Sequence, residues 1–114
     1  MRNTGNEIVD VSFEFALQII EFSEILENKR KFVIANQLLK CGTSIGANVN
    51  ESQHAESKDD FIHKLKISAK EAEETDYWLD LCQYSKGYPD ATELKTKLLA
   101  IKKLLSKIIS SSKK

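Results

Sequence analysis

A single proline and four glycines leave this 114-residue chain few places to break regular backbone. That scarcity argues against a loop-rich or all-β fold, whose turns consume both residues. Two cysteines, Cys41 and Cys82, are too few for a disulfide framework and fit reduced thiols in the cytoplasm. The opening residues, "MRNTGNEIVD", lack the apolar core of a secretory signal. No apolar run approaches the roughly 20 residues of a membrane span, so no membrane partner is expected. Net charge is missing too: 17 Lys and Arg balance 17 Asp and Glu, so the chain as a whole does not gather polyanions.

The chain is 41% apolar and 30% charged, which fits one globular domain over residues 1–114. Residues 1–10 and 110–114 are expected to fray. Four periodic segments predict an all-α, antiparallel up-down-up-down four-helix bundle. The first, about 12–26, carries two apolar stripes: Phe13, Ala16, Leu17 and Ile20, and then Phe15, Ile19, Phe22 and Leu26. That is wider than one core needs. The second begins near Lys31 and runs through Phe32, Ala35, Leu38, Leu39, Ile45 and Val49. The third opens on a capping-box pattern, Ser57 with Asp60, and repeats Phe61, Leu65, Ala69, Ala72, Leu79 and Cys82. "KGYPD" ends it near Ser85, with Gly87 expected as the C′ residue. Asp90 and Glu93 predict a second capping box. The fourth segment spaces Leu94, Leu98, Ile101, Leu105 and Ile108 by four, three, four and three, a heptad seam.

"KCGTSIGANVNES", Lys40 to Ser52, places two glycines and several short polar residues inside a predicted helix. Each interior glycine costs about 1 kcal/mol relative to alanine, so a compensating contact is expected. Gly42 and Gly46 are four apart and share a side with Ala35, a small surface for close helix packing. A phosphate-cradling loop would need a following lysine–serine pair and a preceding strand, and neither is present. Ser44, Asn48 and Glu51 form a polar stripe that Lys70 and Glu74 of the third helix would meet in a structural network. Glu51 and Glu74 also admit a reading as half of a hydrolytic metal site. The paired Glu-x-x-His motifs of di-metal bundles are absent, and His54, His63, Cys41 and Cys82 supply no close ligand pair. No cofactor or catalytic residue is therefore expected.

Charge is uneven along the neutral chain. Residues 1–27 hold one arginine against six carboxylates, whereas 91–114 hold seven lysines against one glutamate. Those ends would attract one another within the bundle or between copies. The lysines Lys95, Lys97, Lys102, Lys103, Lys107, Lys113 and Lys114 are also the candidate nucleic-acid face. Tyr77, Trp78 and Tyr84 admit base stacking, although aromatic residues among leucines more often pack in cores or interfaces.

"QLLKCGTSIGANVNES" resembles the central motif of the bacterial four-helix-bundle family of ribosomal-RNA intervening-sequence proteins, with Gln37, Leu38, Ser44, Ile45, Asn48, Val49 and Glu51 in the matching places. "FIHKLKISAKEAEETDYWL" resembles that family's third helix through Glu74, Thr75, Tyr77, Trp78 and Leu79. The resemblance spans about residues 13–105. It implies a left-handed antiparallel bundle assembling into homopentamers, and no enzymatic activity. Lys40 keeps the motif's basic position, while Leu39 and Ser52 depart from it. The neutral charge departs from a related retroelement accessory protein that binds nucleic acid through a basic surface. The expectation is a homo-oligomeric scaffold or accessory protein, a pentamer favoured, with a nucleic-acid-binding ring as the alternative.

Overall fold

The structure, a computed structural model, describes residues 2–113. It contains four helices: α1 (Glu7–Asn28), α2 (Phe32–Ser52), α3 (Lys58–Tyr84) and α4 (Thr92–Ser112). Consecutive helices pack side by side and α4 returns to α1, so the topology is up-down-up-down. The bundle measures 46 × 25 × 20 Å.

The core is a column of heptad-spaced side chains. Phe15, Ile19 and Leu26 of α1 meet Leu38, Ile45 and Val49 of α2, Leu65 and Leu79 of α3, and Leu98 and Leu105 of α4. Each is buried almost completely, which contributes about 1.5–3 kcal/mol per large side chain relative to exposure. The second α1 stripe faces this column. Phe13 and Ala16 of the first stripe are half-buried, and Leu17 and Ile20 face outward.

Helix ends differ from the expected boundaries in instructive ways. α1 starts at Glu7, five residues before the periodic segment read from sequence, because Ile8 and Ser12 already occupy core positions. The Asp10 carboxylate accepts from the Thr4 backbone N–H at 3.1 Å and the Thr4 hydroxyl at 2.8 Å, tying down the segment expected to fray. α4 likewise remains helical to Ser112. Ser57 caps α3 by accepting from the Asp60 N–H at 3.0 Å, and the Asp60 carboxylate accepts from the Glu56 N–H.

α4 does not start with the expected capping box. Ala91 is its N-cap, and Gln83 of α3 accepts from the Ala91 N–H at 2.7 Å. The Asp90 carboxylate accepts from the Thr92 hydroxyl at 2.7 Å, which with Gln83 holds its pKa below the usual carboxylate value. Glu93 pairs with Lys97 at 3.5 Å. Gly87 is not the C′ residue of α3 either. The C-cap is Ser85, and the left-handed φ of Gly87 (80°) turns the chain two residues later.

Candidate interaction surfaces

The glycines of α2 determine how closely α1 lies. A β-carbon on Gly46 would stand 3.1 Å from the backbone oxygen of Ser12, and one on Gly42 would overlap Ile19. Ala35 is buried beside them. Ile20 follows Ile19 at this crossing and Leu39 precedes Gly42 by about one turn, so exposed apolar side chains flank it on both helices. Leu17 (42% exposed), Ile20 (39%) and Leu39 (39%) lie near this crossing, with Phe32 (56%) at the start of α2. Phe13, Ala16, Thr43 and Ala47 line a depression of about 240 Å³ on the same flank. The Arg2 guanidinium lies 4.1 Å from the centre of the Phe13 ring.

The opposite flank of α1 is built differently. The backbones of α1 and α4 approach each other least of the four helix pairs, and their seam opens into a groove of about 500 Å³. Its floor is Val11, Phe15, Ile101 and Leu104. Glu7 and Glu14 stand on the α1 side, and Lys97, Lys103 and Lys107 on the α4 side. Among the described residues one ion pair, Lys97 to Glu14 at 3.8 Å, crosses the seam. The Gln18 amide oxygen is buried there without a hydrogen-bond partner among the described residues. Such a group costs about 1–3 kcal/mol.

The lysines of α4 are largely occupied by the bundle itself. Lys102 bridges Glu73 (2.7 Å) and Asp76 (3.4 Å) of α3, and Lys95 pairs with Asp80. The hydrogen bond to Glu73 is the main cause holding the Lys102 ammonium above its ordinary pKa. The basic last helix is therefore neutralised chiefly by α3, not by the acidic α1. Of the five candidate nucleic-acid lysines from Lys95 to Lys107, only Lys103 and Lys107 lack a carboxylate partner among the described residues.

The proposed polar stripe does not close into a network. Ser44 donates to the Lys40 carbonyl at 2.7 Å and Asn48 to the Ser44 carbonyl at 2.9 Å, so both are satisfied within α2. Glu51 pairs with Lys64 at 3.4 Å, and Glu74 accepts from the Trp78 indole N–H at 3.2 Å. Lys70 has no ion pair among the described residues. Glu51, Lys70 and Glu74 are exposed, so water serves them and no network is required. Burial, then Glu74, raises the pKa of neighbouring Glu71, and Lys40 opposes the shift. Among the described residues no cluster of three or more His, Cys, Asp or Glu is placed to hold a metal ion.

A buried polar contact between α2 and α3 lies elsewhere. The fully buried Ser68 hydroxyl donates across the α2–α3 interface to the Ile45 carbonyl at 2.8 Å. Thr75, also buried, donates to the Glu71 carbonyl at 2.7 Å. The signal was available: Leu65, Ser68, Ala72, Thr75, Leu79 and Cys82 alternate by three and four along α3. Tyr77 (60% exposed) and Tyr84 (87%) face outward, and Tyr77 meets the half-buried Trp78 edge to face at 5.5 Å. Burial raises the pKa of both buried cysteine thiols. No helix among the described residues is long and apolar enough to cross a membrane.

Comparison with curated proteins finds no match. A solved structure, described as a protein of unknown function from the S23 ribosomal protein family of Bacteroides thetaiotaomicron VPI-5482, is 42% identical. It aligns over 90% of this chain and 97% of its own, with a TM-score of 0.85. The family model described as 23S rRNA-intervening sequence protein matches residues 4–108, nearly the whole bundle. The chain is thus a member of the 23S rRNA-intervening sequence protein family.

Proposed function

We propose that this chain is a non-enzymatic, cytoplasmic homo-oligomeric scaffold that presents a repeated surface to a macromolecular partner. The observation that carries this reading is the exposure of Leu17, Ile20, Leu39 and Phe32 on the glycine-seated α1–α2 pair. A contiguous exposed apolar face marks an association surface. A stable interface removes about 1,200–2,000 Å² from water, within reach of a face running along two helices. A ring of five, the state implied by the family resemblance, repeats one heterologous contact until it closes.

The test is light scattering at micromolar concentration. The parent protein is expected to have a mass several times that of one chain, and the Leu17→Glu/Ile20→Glu variant the mass of one, with helicity retained. A monomeric parent removes the proposal.

A further inference from the structure

We propose that the α1–α4 groove is the partner-binding surface of this scaffold, and that its occupant is an amphipathic helix with basic residues along one edge and carboxylates along the other. The groove has the lining of a helix-in-groove site: about 500 Å³, with Val11, Phe15, Ile101 and Leu104 of two neighbouring helices beneath. Its two rims have opposite sign. Glu7 and Glu14 project from α1 and Lys103 and Lys107 from α4. The rims neutralise each other only through the Lys97–Glu14 pair, and neither Lys103 nor Lys107 has a carboxylate partner among the described residues. An occupant whose apolar stripe lies on the floor satisfies both rims only if its own edges differ in sign. Reversing a bound helix end for end exchanges its edges, so the rims also set its direction.

Nucleic acid fits this surface poorly, since a phosphate backbone would meet Glu7 and Glu14 on one side. Seating of a second copy in the groove would show in the assembly mass of a groove variant, which separates it from an external helix. The inference rests on the scaffold reading only for repetition of the groove around an assembly; occupancy of a single groove stands by itself.

Three fluorescent helical peptides about four turns long test it by anisotropy. All carry the same leucine stripe. One has lysines on one edge and glutamates on the other, one has lysines on both, and one has glutamates on both. The parent protein is expected to bind the split-edge peptide about fivefold or more tighter than either single-sign peptide. In Lys103→Glu/Lys107→Glu both rims become acidic, and the all-lysine peptide is expected to become the tightest ligand. Both substituted side chains are exposed, and circular dichroism checks that the fold persists. Equal affinities for the three peptides, no saturable binding, or an unchanged ranking in the reversal variant overturns the proposal. Leu17→Glu/Ile20→Glu is expected to retain split-edge binding as a single chain, which separates this result from failure of the assembly reading. A fall in assembly mass on Leu104→Glu places a second copy in the groove and overturns the external partner.

Discussion

Gly42 lies directly beneath Ile19: a β-carbon at position 42 would sit 2.8 Å from both Cγ1 and Cγ2 of that side chain. Ile19 is fully buried and β-branched, so it has neither space nor rotamer freedom to retreat. Gly42→Ala gains about 1 kcal/mol in helix propensity. Overpacking costs about 1–3 kcal/mol, and the rigid neighbour puts this site at the upper end. The expected outcome is a net loss of about 2 kcal/mol in urea unfolding, partly recovered by adding Ile19→Val. A more stable Gly42→Ala protein would mean that α1 is seated less closely than described.

Arg30 closes α1 in a left-handed conformation, φ 63°, where glycine is the usual residue. Its N–H donates to the Glu27 carbonyl and that of Lys31 to the Leu26 carbonyl, both at 2.8 Å, the Schellman pattern. Arg30→Gly keeps both bonds and relieves the β-carbon clash. A gain of about 0.5–1 kcal/mol is expected after the added chain entropy of glycine. Urea midpoints of parent and variant at matched ionic strength measure it, and a loss would mean that the arginine side chain contributes to the native state.

Ser68 donates to the Ile45 carbonyl from a position with no solvent exposure. Ser68→Ala removes the donor and leaves only a small void, so about 1 kcal/mol should be lost. Ser68→Val should cost more, because two methyl groups enter a packed site where one hydroxyl stood. Thermal denaturation of the pair distinguishes a hydrogen-bond role from simple volume matching: equal stability of parent and Ser68→Ala leaves volume alone.

These residues mark how far the chain could be read before its structure was known. The α4 seam, Leu94 to Leu105, was legible because periodicity and burial agree there. The early start of α1 was obscured by Ser12, a core position occupied by a hydroxyl that bonds back toward Val9 at 3.3 Å. Ser68 and Thr75 left gaps of the same kind in the α3 seam, of which Leu65, Ala72, Leu79 and Cys82 were legible. The polar stripe of Ser44, Asn48 and Glu51 failed for the converse reason. Spacing fixes the direction of a side chain but not whether its own helix already satisfies it. The groove was not legible at all, since it arises from the spacing between α1 and α4, which neither segment specifies alone.

The Cys82 thiol, packed between α3 and the core, is pushed up by burial to about 11 from an ordinary value of 9.0. Its folded pKa lies above its unfolded value, so the stability associated with the neutral buried thiol is fully present below pH 9. That stability is lost as pH rises through about 11. Two pH units correspond to about 2–3 kcal/mol, and the thiol is too buried for solvent to screen the effect. Cys82→Val removes the titration while keeping an apolar side chain of similar size. The stability difference between parent and variant, from urea unfolding at successive pH values, should be level up to about pH 8.5 and then fall against the parent through pH 11. Every other side chain is common to both proteins, so its contribution cancels in the difference. A difference that stays level throughout would mean that solvent reaches Cys82 and that the α3 core is looser than its packing implies.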